Sequence, residues 1–305
     1  MRVFVTGATG HIGSAVVSEL LDAGHQVVGL ARSDRSAAAL KAAGAEAHRG
    51  SLDDLDTLHE AAATADGVIH LAFKHDFSDY QGAVTADLRA VQTIGAALEG
   101  SGKPFVVTSG TLMLAFVLPP GQLGTEADVA APPVPRIEAE NTAIALSESG
   151  VRSSVVRLPP SVHSSLDLHG FVPRLIETAR EKGVSAYIAD GANRWPAVHT
   201  LDAARLFRLA LEKAPAGTRL HGTTDEGVPF RDIAETIGRH IGVPTAGITR
   251  EEADAHFGFL GTMASLDNPT SSSRTQELLA WRPERPGLIA DIEAGHYFDT
   301  EDNAS

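Results

Sequence analysis

The chain has no cysteine in its 305 residues, which removes disulfides, thiolate nucleophiles and Cys-ligated metals together. Basic residues are outnumbered, 25 Lys plus Arg against 39 Asp plus Glu, for a formal charge of −14. Gripping a phosphate backbone needs the opposite surface, so no nucleic acid is expected as a partner. Long hydrophobic runs are missing too. The longest, Leu112 to Leu118, falls far short of the ~18 residues of a membrane span. Met1-Arg2-Val3-Phe4-Val5 begins like a signal peptide, but Gly7, Gly10 and Gly13 interrupt the apolar stretch that one requires. A soluble, cytoplasmic protein without membrane contact is expected. No Gly-x-Ser-x-Gly elbow marks an acyl-transfer nucleophile. The 13 His residues include no His-x-x-x-His pair, so no metal is expected.

What the chain does have is an ordinary globular balance, 43% apolar and 21% charged, with length for two domains or one large α/β unit with an extension. Through the first half, Val/Ile-rich runs alternate with helical stretches. Strands are expected at 2–6, 26–30, 45–49, 67–72, 104–108 and 151–158. Helices are expected at 12–23, 36–43, 54–64, 79–99 and 135–149, the last closed by Gly150 as a left-handed cap. Strand, helix, strand at this spacing means βαβ crossovers and a doubly wound parallel sheet of the Rossmann type. After Pro159-Pro160 the pattern loosens into helices at 171–182, 202–213, 229–241, 250–256 and 274–280, with a strand at 184–188. This reads as residues 1–158 forming a nucleotide-binding domain, its sheet completed by part of 184–213. Residues 159–305 read mainly as a small, discontinuous C-terminal substrate lobe. Its Phe171, Leu175, Trp195, Phe257, Phe259 and Leu260 suggest an apolar pocket.

The sharpest signal is Thr6-Gly7-Ala8-Thr9-Gly10-His11-Ile12-Gly13, at the first strand-to-helix turn. Gly7 permits the tight turn, Gly10 lets backbone approach a pyrophosphate, and Gly13 lets helix and strand pack closely. The helix start, through Thr9, His11 and Ile12, offers unpaired amides to phosphates. No Lys-Ser/Thr follows to make an NTPase loop; Ser14 comes next. Cofactor choice is read at the end of the second strand, Ala31-Arg32-Ser33-Asp34-Arg35. Arg32 stands where a ribose-binding acid would be, and with Ser33 it suits a 2′-phosphate. NADP is therefore expected over NAD, with Asp34 as the counter-signal.

These residues resemble the short-chain dehydrogenase/reductase superfamily, in its extended and atypical branches related to sugar epimerases and dehydratases. The resemblance runs on through Gly50-Ser51-Leu52-Asp53, His70-Leu71-Ala72, Val107-Thr108-Ser109-Gly110-Thr111, Arg157-Leu158-Pro159-Pro160 and Trp195-Pro196-Ala197-Val198-His199. It implies adenine contacts at Ser51 and Leu52, a cofactor wall at Leu71, Ala72 and Phe73, and nicotinamide contacts from Pro159 and Pro160 to Val162. It also implies a Tyr followed four residues later by Lys. Tyr80, Tyr187 and Tyr297 are the three tyrosines, and none has Lys at that spacing. By count from the fifth strand, the two positions fall near Arg136 and Glu140. Arg cannot release a proton at working pH; the pair reads as an i, i+4 ion pair on the helix.

A replacement proton donor or oxyanion stabiliser must lie just beyond a strand's carboxyl end. The candidates are His75 beside Asp76, Ser109 and Thr111 as hydrogen-bond partners of a substrate oxygen, Tyr80 as an acid, and His163. Arg136 is a candidate for an oxyanion or a substrate carboxylate. Trp195, His199 and Asp202 read as core packing plus a helix N-cap at Asp202. The resulting expectation is an NADP(H)-dependent oxidoreductase acting on a small carbonyl/alcohol pair. The alternatives are a cofactor-sensing binding protein retired from chemistry, and a sugar-nucleotide epimerase or dehydratase. A homodimer through sheet-flanking helices is a further possibility for its assembly.

Overall fold

A computed structural model describes residues 1–74 and 79–298. The first half follows the alternation in the sequence: β1 (Arg2–Thr6), α1 (His11–Asp22), β2 (Gln26–Ala31), α2 (Asp34–Ala42), β3 (Glu46–Arg49), α3 (Leu55–Thr64), β4 (Gly67–His70), α4 (Tyr80–Leu98), β5 (Pro104–Gly110), α5 (Ile137–Ala145) and β6 (Arg152–Leu158). Beyond it come β7 (Ser161–His163), α6 (Phe171–Lys182), β8 (Ser185–Ile188), β9 (Arg194–His199), α7 (Thr200–Lys213), β10 (Thr218–His221), β11 (Asp225–Pro229), α8 (Phe230–Ile241) and β12 (Thr245–Ile248).

Seven strands form one parallel sheet in the order β10-β6-β5-β4-β1-β2-β3. Both faces are covered, so alternate side chains of one strand enter different cores, and the strand reads as an unbroken apolar run. Val3 and Val5 pack with Val16, Leu20 and Phe207 on the face of α1 and α7. Phe4, between them, packs with Leu58, Val91 and Ile94 on the face of α3 and α4. The chain departs in opposite directions from β1 and β4, which places a crevice at their carboxyl ends.

The strand that completes the sheet differs from expectation. It is β10, pairing with β6, rather than any strand within 184–213. Within that range, β8 pairs with β12 in a separate two-stranded sheet, and α7 covers the main sheet against α1. Thr218-Arg219-Leu220-His221 lacks the Val/Ile run that marks the other strands. The lobe beside the sheet has its own core, and this corrects the expected apolar pocket. Trp195 is fully buried, and its ring centroid lies 5.7 Å from that of Phe171 and 5.0 Å from that of Phe230. Leu175, Phe257 and Leu260 join the same core, leaving Phe259 as the exposed member of the set.

Candidate active site

The glycine loop owes its shape to the absence of side chains. Gly7 lies at φ +67°, and a Cβ there would sit 2.8 Å from the Ala72 nitrogen. A Cβ on Gly13 would sit 1.9 Å from the Gly7 carbonyl oxygen, so α1 can press onto the loop only as glycine. Gly10 N–H donates to that carbonyl at 3.0 Å, and the first helical bond is Ser14 N–H to Gly10 O. The amides of His11, Ile12 and Gly13 therefore have no acceptor among the described residues. Beside them Thr9 and Gly10 are exposed. An open cradle of amides at a helix start fits a pyrophosphate.

Of the other cofactor candidates, Leu71 and Ala72 lie against Gly7. Ile12, Leu71 and Val162 pack on one core beneath the cradle, with Pro159 buried and Pro160 half-buried nearby in sequence. Leu52 is buried and Ser51 half-buried after β3; their neighbour Asp53 binds Lys74 at 2.6 Å, tying that turn to the chain after β4. Arg32 is exposed and has no partner among the described residues. Asp34 pairs with Arg49 at 3.2 Å. Ser33 caps α2 through a capping box with Ser36. His11 turns inward, its Nε2 2.7 Å from Thr200 Oγ1 and its Nδ1 3.6 Å from Asp167. Burial, then the nearby His163 and His199, lower its pKa to about 4. Burial raises the pKa of Asp167 to about 6. His163 is buried against Asp291 at 2.9 Å. The cap of α7 is His199, accepting from Leu201 N–H. Asp202, expected there, is buried and accepts from the amides of Glu284 and Arg285.

Around β4 and β5 the side chains form two separate polar networks. In the first, Arg136 bonds Asp87 through Nε (3.3 Å) and the Thr108 carbonyl through Nη2 (3.1 Å). Its guanidinium carbon lies 4.2 Å from the centroid of the Phe73 ring. Asp87 also meets His70 Nε2 at 3.2 Å; His70 Nδ1 lies 2.8 Å from Thr6 Oγ1, which accepts from Ala72 N–H. These partners assign the Nε2–H tautomer to His70. Burial alone would raise the Asp87 pKa, but the charge of Arg136 and the His70 bond outweigh it and hold the carboxyl below the usual range.

In the second network Glu140, 1% exposed, binds Arg157 at 2.5 Å and Arg219 at 2.8 Å. The expected Arg136–Glu140 pair therefore does not form. Arg136 adopts φ 63°, outside the helix that begins at Ile137, so the i, i+4 geometry is lost. Ser109 donates to Glu140 at 2.8 Å, and Thr111 donates to Asn268 at 2.9 Å. Both residues are buried, which turns inward two hydroxyl protons expected at a substrate oxygen. Tyr80 is 38% exposed, its ring 6.1 Å from that of Phe73. Burial raises the pKa of its phenol, against an opposing pull from Arg136. His75 lies outside the described residues.

His70 stood in a quoted motif without a role and Asp87 in none, but Asp87 left a trace. It is the acid on the α4 face otherwise made by Ala83, Ala90, Val91, Ile94 and Leu98. A lone carboxylate on a buried helical stripe implies a buried partner.

With this geometry in view, the comparisons are specific. Residues 3–221 match the NAD dependent epimerase/dehydratase family. An uncharacterized protein of Schizosaccharomyces pombe, C2A9.02, is 50% identical over 299 residues, covering 98% of this chain and 100% of its own. The 2′-dehydrokanamycin reductase of Streptomyces kanamyceticus is 30% identical over 328 residues, 97% of this chain and 88% of its own. In fold, the dTDP-glucose 4,6-dehydratase DesIV of Streptomyces venezuelae, with NAD and TYD bound, superposes with a TM-score of 0.77 at 19% identity, over 96% of either chain.

Proposed function

The chain belongs to the NAD dependent epimerase/dehydratase family, and on that premise we propose that it is an NADP(H)-dependent oxidoreductase acting on a small carbonyl/alcohol pair. The observation that carries the reading is the amide cradle of His11, Ile12 and Gly13 on a loop that only glycine permits. Bound there, the nicotinamide cofactor supplies or accepts a hydride. Arg32, exposed and unpaired among the described residues, supports the 2′-phosphorylated form, while Asp34 is drawn toward Arg49. The similarity to a reductase supports the reaction class.

With the Ser109 and Thr111 protons donated inward, Tyr80 is assigned the proton at the substrate oxygen. Its ring lies 6.1 Å from that of Phe73, on which Arg136 stacks, and its phenol is protonated at neutral pH; the charge of Arg136 opposes the rise in pKa that burial causes and so favours proton release. The inward hydroxyls also favour one rival, a cofactor-sensing protein without turnover.

A fluorescence titration with NADPH and NADH comes first. NADPH is expected to bind at least tenfold tighter, about 1.4 kcal/mol, and Arg32→Ala to erase the difference. Equal binding of both nucleotides would reverse the NADP assignment, and binding of neither would remove the oxidoreductase. NADPH oxidation is then followed across aldehydes, ketones, quinones and nucleotide sugars. Tyr80→Phe is expected to lower kcat by roughly 10²- to 10⁴-fold while leaving NADPH binding intact. A protein that binds NADPH yet turns over none of these is the sensor.

A further inference from the structure

Arg136 is held in a way that its structural contacts do not require. Its backbone sits at φ 63° and ψ −5°, a left-handed conformation that is strained for a non-glycine residue. In return the side chain leaves α5 and reaches across the carboxyl ends of β4 and β5. There it is fixed from three elements: the Asp87 carboxylate on α4, the Thr108 carbonyl on β5 and the Phe73 ring after β4. Asp87 is fixed in turn by His70, and His70 by Thr6 at the root of the glycine loop.

A guanidinium has five N–H donors. Asp87 takes the one on Nε and Thr108 takes one on Nη2; both on Nη1 and the second on Nη2 have no acceptor among the described residues. The side chain is 21% exposed. Donors on Nη1 and Nη2 form the end-on fork that matches a carboxylate with two parallel bonds. A carbonyl accepts both donors only on a single oxygen, without the two parallel bonds of a carboxylate.

We propose that Arg136 seats a substrate carboxylate, so that the carbonyl/alcohol pair is an oxo acid and its hydroxy acid. The inference rests on the oxidoreductase reading for its reaction, but the seat itself is independent of turnover. In the reductive direction the oxo acid takes a hydride at the carbonyl carbon and a proton at its oxygen. NADPH is the two-electron reductant and is released as NADP⁺. Asp87 and His70 act as positioning residues, holding the fork without touching substrate.

The test has a binding arm and a turnover arm. Calorimetry follows oxamate and malonate, with acetamide as the neutral control, added to protein saturated with NADP⁺. NADPH oxidation is measured for 2-oxo and 3-oxo acids against their methyl esters. The wild type is expected to bind the two anions but not acetamide, and to prefer acid over ester by at least thirtyfold in kcat/KM. Arg136→Gln should abolish anion binding and bring the acid-to-ester ratio close to one through KM, with Arg136→Lys restoring part of it. Because Arg136→Gln strands Asp87, the double variant Asp87→Asn/Arg136→Gln repeats the measurement with both charges removed. Equal use of acids and esters by the wild type would overturn the carboxylate seat and leave the oxidoreductase standing. Anion binding that depends on Arg136, with no carbonyl reduced, would keep the seat and remove the oxidoreductase. Neither anion binding nor acid reduction would overturn the seat outright.

Discussion

His11 and Asp167 show how two neighbouring side chains can carry opposite pH dependences. His11 titrates near 6.5 when unfolded and at about 4 when folded. Its contribution to stability is complete above pH 6.5 and is lost as pH falls through 4. Asp167 titrates near 3.8 when unfolded and at about 6 when folded. Its contribution is complete below pH 3.8 and is lost as pH rises through 6. Each is worth roughly 3 kcal/mol at most, so across pH 4 to 6 they largely cancel. Measured by urea unfolding at pH 4.5, 5.5 and 7, His11→Gln is expected to gain on the wild type as pH falls. Asp167→Asn is expected to gain as pH rises. Parallel slopes for the two variants would refute the assignment. At this scale the glycine loop was legible because its chemistry is local: Gly7, Gly10 and Gly13 meet one another within one turn. The His11–Asp167 approach was not legible, since no spacing connects residues 11 and 167.

The start of α5 is where an element-level rule failed for a visible reason. Arg136 and Glu140 have the spacing of a helical ion pair, but Pro132, Pro133 and Pro135 precede them and the helix begins two residues later than expected, at Ile137. Pro135 disfavours helical backbone at Val134 and so bars the helix from extending back past residue 135, and the left-handed backbone of Arg136 moves the start on to Ile137. Glu140 was then free to face the interior and gather Arg157 and Arg219. Neutralising it leaves the fully buried Arg157 against an uncharged amide. Glu140→Gln is expected to cost about 3 to 5 kcal/mol, read as a lowered urea midpoint. A loss under 1 kcal/mol would mean that the network contributes little. Strands and helices through residue 158 were legible because both-face burial and amphipathic stripes are written in period; β10, four residues with an Arg and a terminal His, carries no such period.

At the scale of the whole molecule, the sheet is the frame for every site residue. The cradle follows β1, Phe73 follows β4, and the Thr108 carbonyl and Ser109 lie at the end of β5. The fragment 1–158 ends with β6, whose partner β10 lies beyond it. An unpaired edge of that length is a template for association. Expressed alone, the fragment is expected to aggregate, whereas 1–221 should raise the soluble yield; a monomeric, soluble 1–158 would contradict this. The late closing strand also orders events during synthesis. Between β6 and β10 the ribosome must make about 60 residues, roughly 3 to 12 s of translation at 5 to 20 residues per second. For that interval the nascent sheet has an open flank, and the β7-to-α7 stretch emerges before the strand that closes it. Chaperone demand should therefore peak in this window, well before the chain is finished.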